Sequence, residues 1–353
     1  MATDYVLFIH GVTIRNPNYA DELFERLTKN ASDRNFQKIA FYWGDINQQP
    51  ENKLLEQIRG SSDWNKMWFH NIREQQILPF TGDAALYISR YVGAKIVRKL
   101  KKQVADSGLL KANPDDRLHI VTHSWGTVIL FDILFASRWE DKDAPAHDDV
   151  MAIRDAIFGI EGENRDRRYQ GIKIASIHTM GSPVAIFSLT DVKSDQDETG
   201  ASSSHDITPK LQAFVGQNET GASSSHDITP KLQTLLKSLQ EEASPREKLP
   251  WWNYIHPADP IAYPLQKMMT DLVDGYTEYL DIQDVITHST GWLGWLENLI
   301  AQTPLAQTNL PLLLSLLPDN PHGSYWHNDE AIKKIIEVVK NETPKANSLS
   351  RSV

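Results

Sequence analysis

Short apolar runs that alternate with helical patterns are the feature that most constrains how this chain folds. The runs are rich in β-branched and aromatic residues, and a turn residue or a helix cap follows each one. Such continuous runs are typical of strands buried on both faces of a parallel sheet. They predict strands over 5–9, 39–43, 118–122, 172–180 and 251–255, and a sixth within 276–287. Helices are predicted over 20–29, parts of 51–78, 82–104, 128–139 and 329–339. The alternation predicts an α/β fold.

Composition argues against several classes of partner and of catalytic group. The net charge of −10 argues against nucleic acid as the main partner, because counterion release needs clustered Lys and Arg. The chain has no cysteine, which excludes disulfides, thiolate catalysis and cysteine-ligated metals. Length alone suggests about two domains, although one enlarged α/β domain over 1–345 with a flexible tail at 346–353 is our interpretation.

The start of the chain does not resemble a signal peptide, since its apolar run covers only 5–9 and Asp4 precedes it. The most apolar stretch, 310–317, is much shorter than the ~18 residues of a membrane span. We therefore expect a cytoplasmic protein without a transmembrane segment, while export without an N-terminal signal stays compatible with the sequence.

A duplicated segment interrupts the alternating pattern. Residues 198–212 recur unchanged at 219–233, within a region, 191–247, that holds ten acidic and five basic side chains. This region therefore carries half of the net charge. Two identical copies indicate a local duplication and not a solenoid. We interpret 191–247 as a solvated surface insert; a lid or a partner-docking element is the alternative.

A serine lies where the third predicted strand runs directly into an apolar helix. The sequence His123-Ser124-Trp125-Gly126 in this strand–turn–helix context is typical of a nucleophile elbow. Gly126 would let the helix approach the strand, and the backbone N–H of Trp125 would face a developing oxyanion. Thr122 occupies a position where glycine is usual. The alternative is that Ser124 only caps the helix.

The first predicted strand ends in His10-Gly11-Val12, at the matching position of the sheet. A His-Gly turn there can present the N–H of Val12 as a second oxyanion donor. His10 would then support the turn and would not be the catalytic base. An ordinary strand-end turn is the alternative.

These motifs together resemble a known family. In chain order they are VLFIHG, FTGDAALYI, HIVTHSWGT, HTMGSP, HPADPIAYP and HGSYW, from residue 5 to about 326. They resemble the lipase-like and glycosylphosphatidylinositol-deacylase-like serine esterases of the α/β-hydrolase superfamily. The resemblance implies an α/β-hydrolase fold and a triad in the order serine, acid, histidine. Thr122 and the insert at 191–247 depart from the family pattern.

The acid of the expected triad is Asp259, in a proline-rich turn after the fifth strand, at the edge where sites of open α/β sheets form. Its alternative role is turn formation before proline. Asp281 and Asp284 are the reserve acids.

The expected base is His322, because HGSYW resembles the catalytic-histidine loop of the family. His288, which follows the sixth strand, is the reserve base, and His327 is merely nearby. A lone histidine is usually structural, so only the triad context supports this choice. His10, Gly11, His123 and Gly126 are expected to support the site.

We expect no metal or cofactor, since the neighbouring His and acidic residues at 327–330 would not converge on one ion. Aromatic and aliphatic residues concentrate in 46–80 and 288–320, where we expect cap or rim segments over the site; packing in the core is the alternative. The sequence thus predicts a hydrolase of carboxylic esters with an apolar acyl group. Lipid esters as substrates and peripheral contact with lipid are compatible with this prediction. A thioesterase or acyltransferase with the same triad is the alternative, followed by a non-catalytic binding protein.

Overall fold

The computed structural model describes residues 2–113, 115–163, 171–187, 229–242, 248–272, 279–288 and 321–341, together with the isolated residues 294 and 303. In this part of the chain, six strands form one parallel sheet in the order β2-β1-β3-β4-β5-β6. The strands are β1 Thr3–Ile9, β2 Asn35–Phe41, β3 Arg117–His123, β4 Lys173–Met180, β5 Leu249–Ile255 and β6 Leu280–Ile286.

Helices connect the strands and cover both faces of the sheet. They are α1 Asp21–Asn30, α2 Gly44–Arg59, α3 Leu78–Ile88, α4 Arg90–Asp106, α5 Trp125–Phe135, α6 His147–Asp155, α7 Val184–Phe187, α8 Thr229–Glu242, α9 Gln266–Leu272 and α10 Asp329–Asn341. Shorter helical turns lie at Trp64–Lys66, His70–Ile72, Arg73–Ile77, Leu109–Lys111, Ser137–Trp139 and Ser324–His327. None of the described helices is both long and apolar enough to cross a membrane.

Successive residues of each strand point to opposite faces, which creates two cores. On one face Leu7 and Ile9 pack with α4, α5, α6 and α8. On the other face Val6 and Phe8 pack with α1 and α10. Strands buried on both faces explain the continuous apolar runs of the sequence.

The order of the strands creates a crevice. The chain adds β2 on one side of β1 and then places β3 on the other side, so the connections leave the carboxyl ends of β1 and β3 in opposite directions. Ligands of open parallel sheets bind at such a switch point. The parallel sheet, its strand order and the covering helices form an α/β-hydrolase fold, which confirms the predicted fold class.

Three elements differ from the sequence prediction, and one of them is the helix predicted over 128–139, which begins at Trp125 and ends at Phe135. Strand β2 begins at Asn35 and ends at Phe41, because this edge strand exposes alternate residues in its first half and lacks a continuous apolar run there. The single helix predicted over 82–104 is two helices, since the extended ψ of 123° at Ser89 separates α3 from α4.

The insert at 191–247 is described only in α8. Leu232, Leu235 and Leu236 of this helix are buried in the core beside α5, so this part of the insert is not a solvated excursion. The first copy of the duplication, most of the expected cap at 288–320 and the tail at 346–353 lie outside the described residues.

Candidate active site

Ser124 occupies a strained turn between β3 and α5. Its φ of 53° lies in the left-handed region, which non-glycine residues rarely adopt. Its N–H donates to the carbonyl of Met180 at 2.9 Å, which ties the turn to the end of β4. Gly126 lets α5 approach β1, because a Cβ there would lie 2.5 Å from the carbonyl oxygen of Ile9. The local backbone therefore has the form of a nucleophile elbow.

Thr122 replaces the small residue expected two positions before the serine. Its side chain is buried, and its hydroxyl shares a 2.8 Å hydrogen bond with the hydroxyl of Thr127 on α5. The larger residue fits because this bond satisfies its polar group within the turn.

A line of hydrogen bonds joins the three predicted triad residues. The Oγ of Ser124 lies 2.7 Å from Nε2 of His322, and Nδ1 of His322 lies 2.9 Å from Oδ2 of Asp259. In the neutral imidazole, an Nδ1–H that donates to the carboxylate leaves Nε2 free to accept the serine proton. The structure brings together side chains that are 63 to 198 residues apart in the sequence.

Asp259 is held in a buried pocket of hydrogen-bond donors. Its side chain is 0% exposed, and it accepts the hydroxyl of Tyr325 at 2.9 Å and the N–H of Ile261 at 3.0 Å. Burial alone would raise the pKa of Asp259, but the hydrogen bond and charge of His322, with these two donors, lower that pKa below its usual value. Asp259 is thus an anion able to stabilise an imidazolium.

Tyr325 was not predicted from the sequence as part of the site. Besides donating to Asp259, its hydroxyl accepts the N–H of His256 at 2.8 Å. The hydroxyl therefore links the acid to the turn that carries it. The only sequence signal is the position of Tyr325 three residues after His322, which places both on one short turn.

His123 lies directly behind His322. Its Nε2–H donates to the backbone carbonyl of His322 at 2.7 Å, and the two rings lie 4.9 Å apart. Burial lowers the pKa of His123 to about 3, so the ring is neutral at physiological pH. His123 thus supports the loop of His322.

The β1 loop, residues 10–13, faces the serine. A Cβ on Gly11 would lie 2.5 Å from Cβ of Ser124, so the close approach of the two turns requires glycine. His10 is buried, its ring stacks on Trp43, and its Nε2 accepts the N–H of Trp43 at 3.1 Å. Burial lowers the pKa of His10 to about 4.

Val12 follows Gly11 in the β1 loop. Its side chain is buried, and among the described residues no backbone carbonyl accepts a hydrogen bond from its N–H. Buried N–H groups are rarely left without an acceptor. The N–H of Trp125 begins α5 on the other side of the serine.

The reserve base and the reserve acids are not part of the hydrogen-bonded line from Ser124 to Asp259. His288 follows β6, its ring is 54% exposed, and its Nδ1 lies 3.6 Å from Glu330. Asp284 accepts the amide of Asn253 and the N–H groups at the start of α9. Asp281 contacts Gln283, and His327 contacts Glu22 on the surface. In the described parts of the chain, no group of three His, Asp or Glu side chains is arranged to hold a metal.

Phe80, the last residue of the segment 46–80, lies near His322. The ring of Phe80 lies 6.5 Å from that of His322. Trp68 and Phe69 are 77% and 65% exposed, so these two side chains do not pack in the core. With Met67 they form a surface cluster, residues 67–69, that we call the aromatic tip.

Weak likenesses to solved structures include a thioesterase and a phospholipase. The RedJ thioesterase of the prodiginine biosynthetic pathway in Streptomyces coelicolor has a TM-score of 0.28 at 12% identity, over 89% of this chain and 86% of that chain. Phospholipase PlaB from Legionella pneumophila has a TM-score of 0.21 at 11% identity, over 96% of this chain and 64% of that chain. No family model and no curated protein matches the chain. The fold assignment rests on the strand order and on the turns that carry the site.

Proposed function

We propose that the chain is a serine hydrolase that cleaves carboxylic esters through an acyl-enzyme. Ser124 is the nucleophile, His322 the general base and Asp259 the acid that orients His322. The N–H groups of Val12 and Trp125 form the oxyanion hole. The observation that carries the proposal is the continuous line of hydrogen bonds from Ser124 through His322 to Asp259, which starts on a strained turn at the switch point of the sheet.

The proposed reaction follows from the positions of these protons. Nε2 of His322 takes the hydroxyl proton as Oγ of Ser124 bonds to the ester carbonyl carbon. The tetrahedral intermediate places its negative charge on the former carbonyl oxygen, between the two N–H groups. When the carbon–oxygen bond to the alcohol breaks, His322 gives its proton to the leaving oxygen.

Water then completes the cycle. It attacks the acyl carbon while His322 accepts one of its protons, and a second tetrahedral intermediate forms. Collapse of this intermediate releases the carboxylic acid, and Oγ of Ser124 regains its proton from His322. Throughout, the anionic Asp259 keeps Nδ1 protonated and stabilises the imidazolium, consistent with its lowered pKa.

An apolar acyl group fits the surroundings of the serine. Phe80 lies beside His322, and the aromatic tip belongs to the same segment, 46–80. An apolar ring beside His322 favours acyl chains over charged groups because burial of apolar area stabilises the complex. We therefore infer a preference for esters of medium or long acyl chains.

A fluorophosphonate probe tests the nucleophile. We expect covalent labelling of the wild type and of Ser182→Ala, whose buried serine lies after β4 outside the hydrogen-bonded line, and no labelling of Ser124→Ala. An unlabelled wild type, or equal labelling of Ser124→Ala, would contradict the proposal.

The leaving group needs a separate measurement, since a thioester forms the same acyl-enzyme. Hydrolysis of an oxygen ester and a thioester with one common acyl chain, followed with and without an added alcohol, separates the three reactions. We expect the oxygen ester to be cleaved and the free acid to be the main product. A dominant ester product would indicate an acyltransferase, and exclusive cleavage of the thioester would indicate a thioesterase.

A further inference from the structure

The β1 loop contains a strained residue that its own sequence does not explain. Thr13 has a φ of 66°, although a β-branched side chain is disfavoured in the left-handed region. Such a conformation persists only where the surrounding structure holds it. Because Thr13 is exposed, side-chain packing does not hold it.

A buried carboxylate on α3 provides the restraint. Oδ2 of Asp83, on α3, accepts the N–H of Thr13 at 2.6 Å, and the Asp83 side chain is 1% exposed. Hydrogen bonds to an ionised acceptor are stronger than neutral ones. Asp83 therefore fixes the peptide that follows Val12.

The charge of Asp83 is supported by its neighbours. Nη1 of Arg15 lies 3.0 Å from Oδ2, and the amide of Asn47 donates to Oδ1 at 2.9 Å. Glu51 contacts the same guanidinium at 2.5 Å. Burial, with the hydrogen bond and the charge of the neighbouring Asp83, raises the pKa of Glu51 to about 8. Arg15 contacts both side chains and places a positive charge beside the carboxylate of Asp83.

The peptide between Gly11 and Val12 is fixed by the side chain of His10. Nδ1–H of His10 donates to the carbonyl of Gly11 at 2.6 Å. In a trans peptide, the N–H of the next residue points away from that carbonyl. His10 thus sets the direction of the Val12 N–H, and Asp83 prevents the following peptide from rotating.

We propose that Asp83 is a positioning residue for the oxyanion hole: it holds Thr13 in its left-handed conformation and thereby keeps the N–H of Val12 directed at the substrate oxygen. The inference rests on the proposed serine-hydrolase function. It assigns helix α3, whose Phe80 lies near His322, a role in the chemistry.

The experiment compares Asp83→Ala, Asp83→Asn and the control Asp45→Ala. Asp45 is a carboxylate on the neighbouring helix α2 that pairs with Lys99 on the surface. For Asp83→Ala we expect kcat to fall about a hundredfold, as when one oxyanion donor is lost, with KM within about twofold. The affinity for an alkyl trifluoromethyl ketone, which forms a tetrahedral adduct, should fall by the same factor.

Asp83→Asn keeps an oxygen that can accept the Thr13 N–H but loses its charge. We expect a loss of about fivefold in both kcat and ketone affinity. Asp45→Ala should match the wild type in both readouts.

Several results would overturn the inference. One is a folded Asp83→Ala variant with wild-type kcat. Another is an equal loss of affinity for the ketone and for an unreactive substrate analogue, which would indicate a structural role only. If melting curves show Asp83→Ala to be unfolded, Asp83→Asn decides, and unchanged ketone affinity there would overturn the inference. Failure of the proposed function is separate: the wild type would then neither hydrolyse esters nor label at Ser124.

Discussion

The turns after β1 and β3 each contain a non-glycine residue with positive φ, but different parts of the chain hold them. Ser124 is held by neighbours: α5 begins at the next residue, and the carbonyl of Met180 accepts its N–H. Thr13 is held by Asp83, which is 70 residues away in the sequence. In the proposed enzyme, one turn supplies the nucleophile and the other supplies an oxyanion donor.

This difference explains why one turn is easier to recognise from the sequence than the other. A strand, a His-Ser-x-Gly turn and an apolar helix are adjacent, so the elbow is recognisable from one short segment. The β1 loop shows only His-Gly, because its restraints come from Asp83 and Trp43, which only the fold brings near. The predictions below test the two turns separately.

The largest expected effect concerns the elbow. His322→Ala should lower kcat/KM about ten-thousandfold, because Ser124 loses the group that accepts its proton. His288→Ala is the matched control, since its exposed ring pairs with Glu330, and it should keep wild-type activity. Steady-state hydrolysis of a p-nitrophenyl ester measures both. If His288→Ala were inactive and His322→Ala active, His288 and not His322 would be the catalytic base.

The next effect concerns the β1 loop. Gly11→Ala should lower kcat about a thousandfold, because the new Cβ would lie 2.5 Å from Cβ of Ser124 and 3.0 Å from its Oγ, so the loop must move away. Gly60→Ala is the control, since the nearest atom to its new Cβ would lie at 3.4 Å. Melting curves check that both variants fold. A Gly11→Ala enzyme with wild-type kcat would show that the two turns need not approach.

The fold could largely be predicted from the sequence, for a physical reason. The central strand β1 is buried on both faces and carries the unbroken apolar run 5–9, and β3 is buried on both faces with Leu118, Ile120 and Val121. Strand β2 pairs only with β1, so its first residues alternate between half-buried and exposed, and its start could not be predicted. The break at Ser89 was missed because 82–104 keeps its helical spacing across it.

The candidate site was only partly predictable. Ser124 could be named from its strand–turn–helix context and Asp259 from its turn after the fifth predicted strand, whereas His322 was named because HGSYW resembles the catalytic-histidine loop of the family. Tyr325 and Asp83 have no such local pattern. Their hydrogen bonds to Asp259 and Thr13 depend on tertiary packing across 66 and 70 residues.

A smaller effect is expected on the pH dependence of stability, through one buried histidine near each turn. The folded protein lowers the pKa of His10 to about 4 and of His123 to about 3, from the usual 6.5. Below about pH 6.5 the unfolded chain therefore binds more protons than the folded one, and stability falls as the pH falls. Each histidine should contribute about 1.4 kcal/mol per pH unit, down to about pH 4 for His10 and about pH 3 for His123.

Urea unfolding between pH 7.5 and 5 measures this slope. His10→Gln and His123→Gln should each reduce the slope by about one proton, since glutamine does not titrate. An unchanged slope in either variant would show that the corresponding histidine is already charged in the folded protein.

The smallest effect concerns the aromatic tip, outside both turns. Trp68→Ser should lower kcat/KM for a long-chain ester about fivefold and leave the acetate ester unchanged, because part of the exposed indole would contact a long acyl chain. Tyr91→Ser, a change at an equally exposed aromatic residue, is the control and should affect neither ester. Equal losses of kcat/KM on both esters would show that the aromatic tip does not recognise the acyl chain.

The most direct test of the two-turn site is a crystal structure of the protein after reaction with an alkyl fluorophosphonate. We predict a phosphorus bond to Oγ of Ser124, with one phosphonyl oxygen within about 2.7–3.1 Å of the backbone nitrogens of both Val12 and Trp125. An adduct on another residue, or a phosphonyl oxygen directed away from the nitrogen of Val12, would contradict the account.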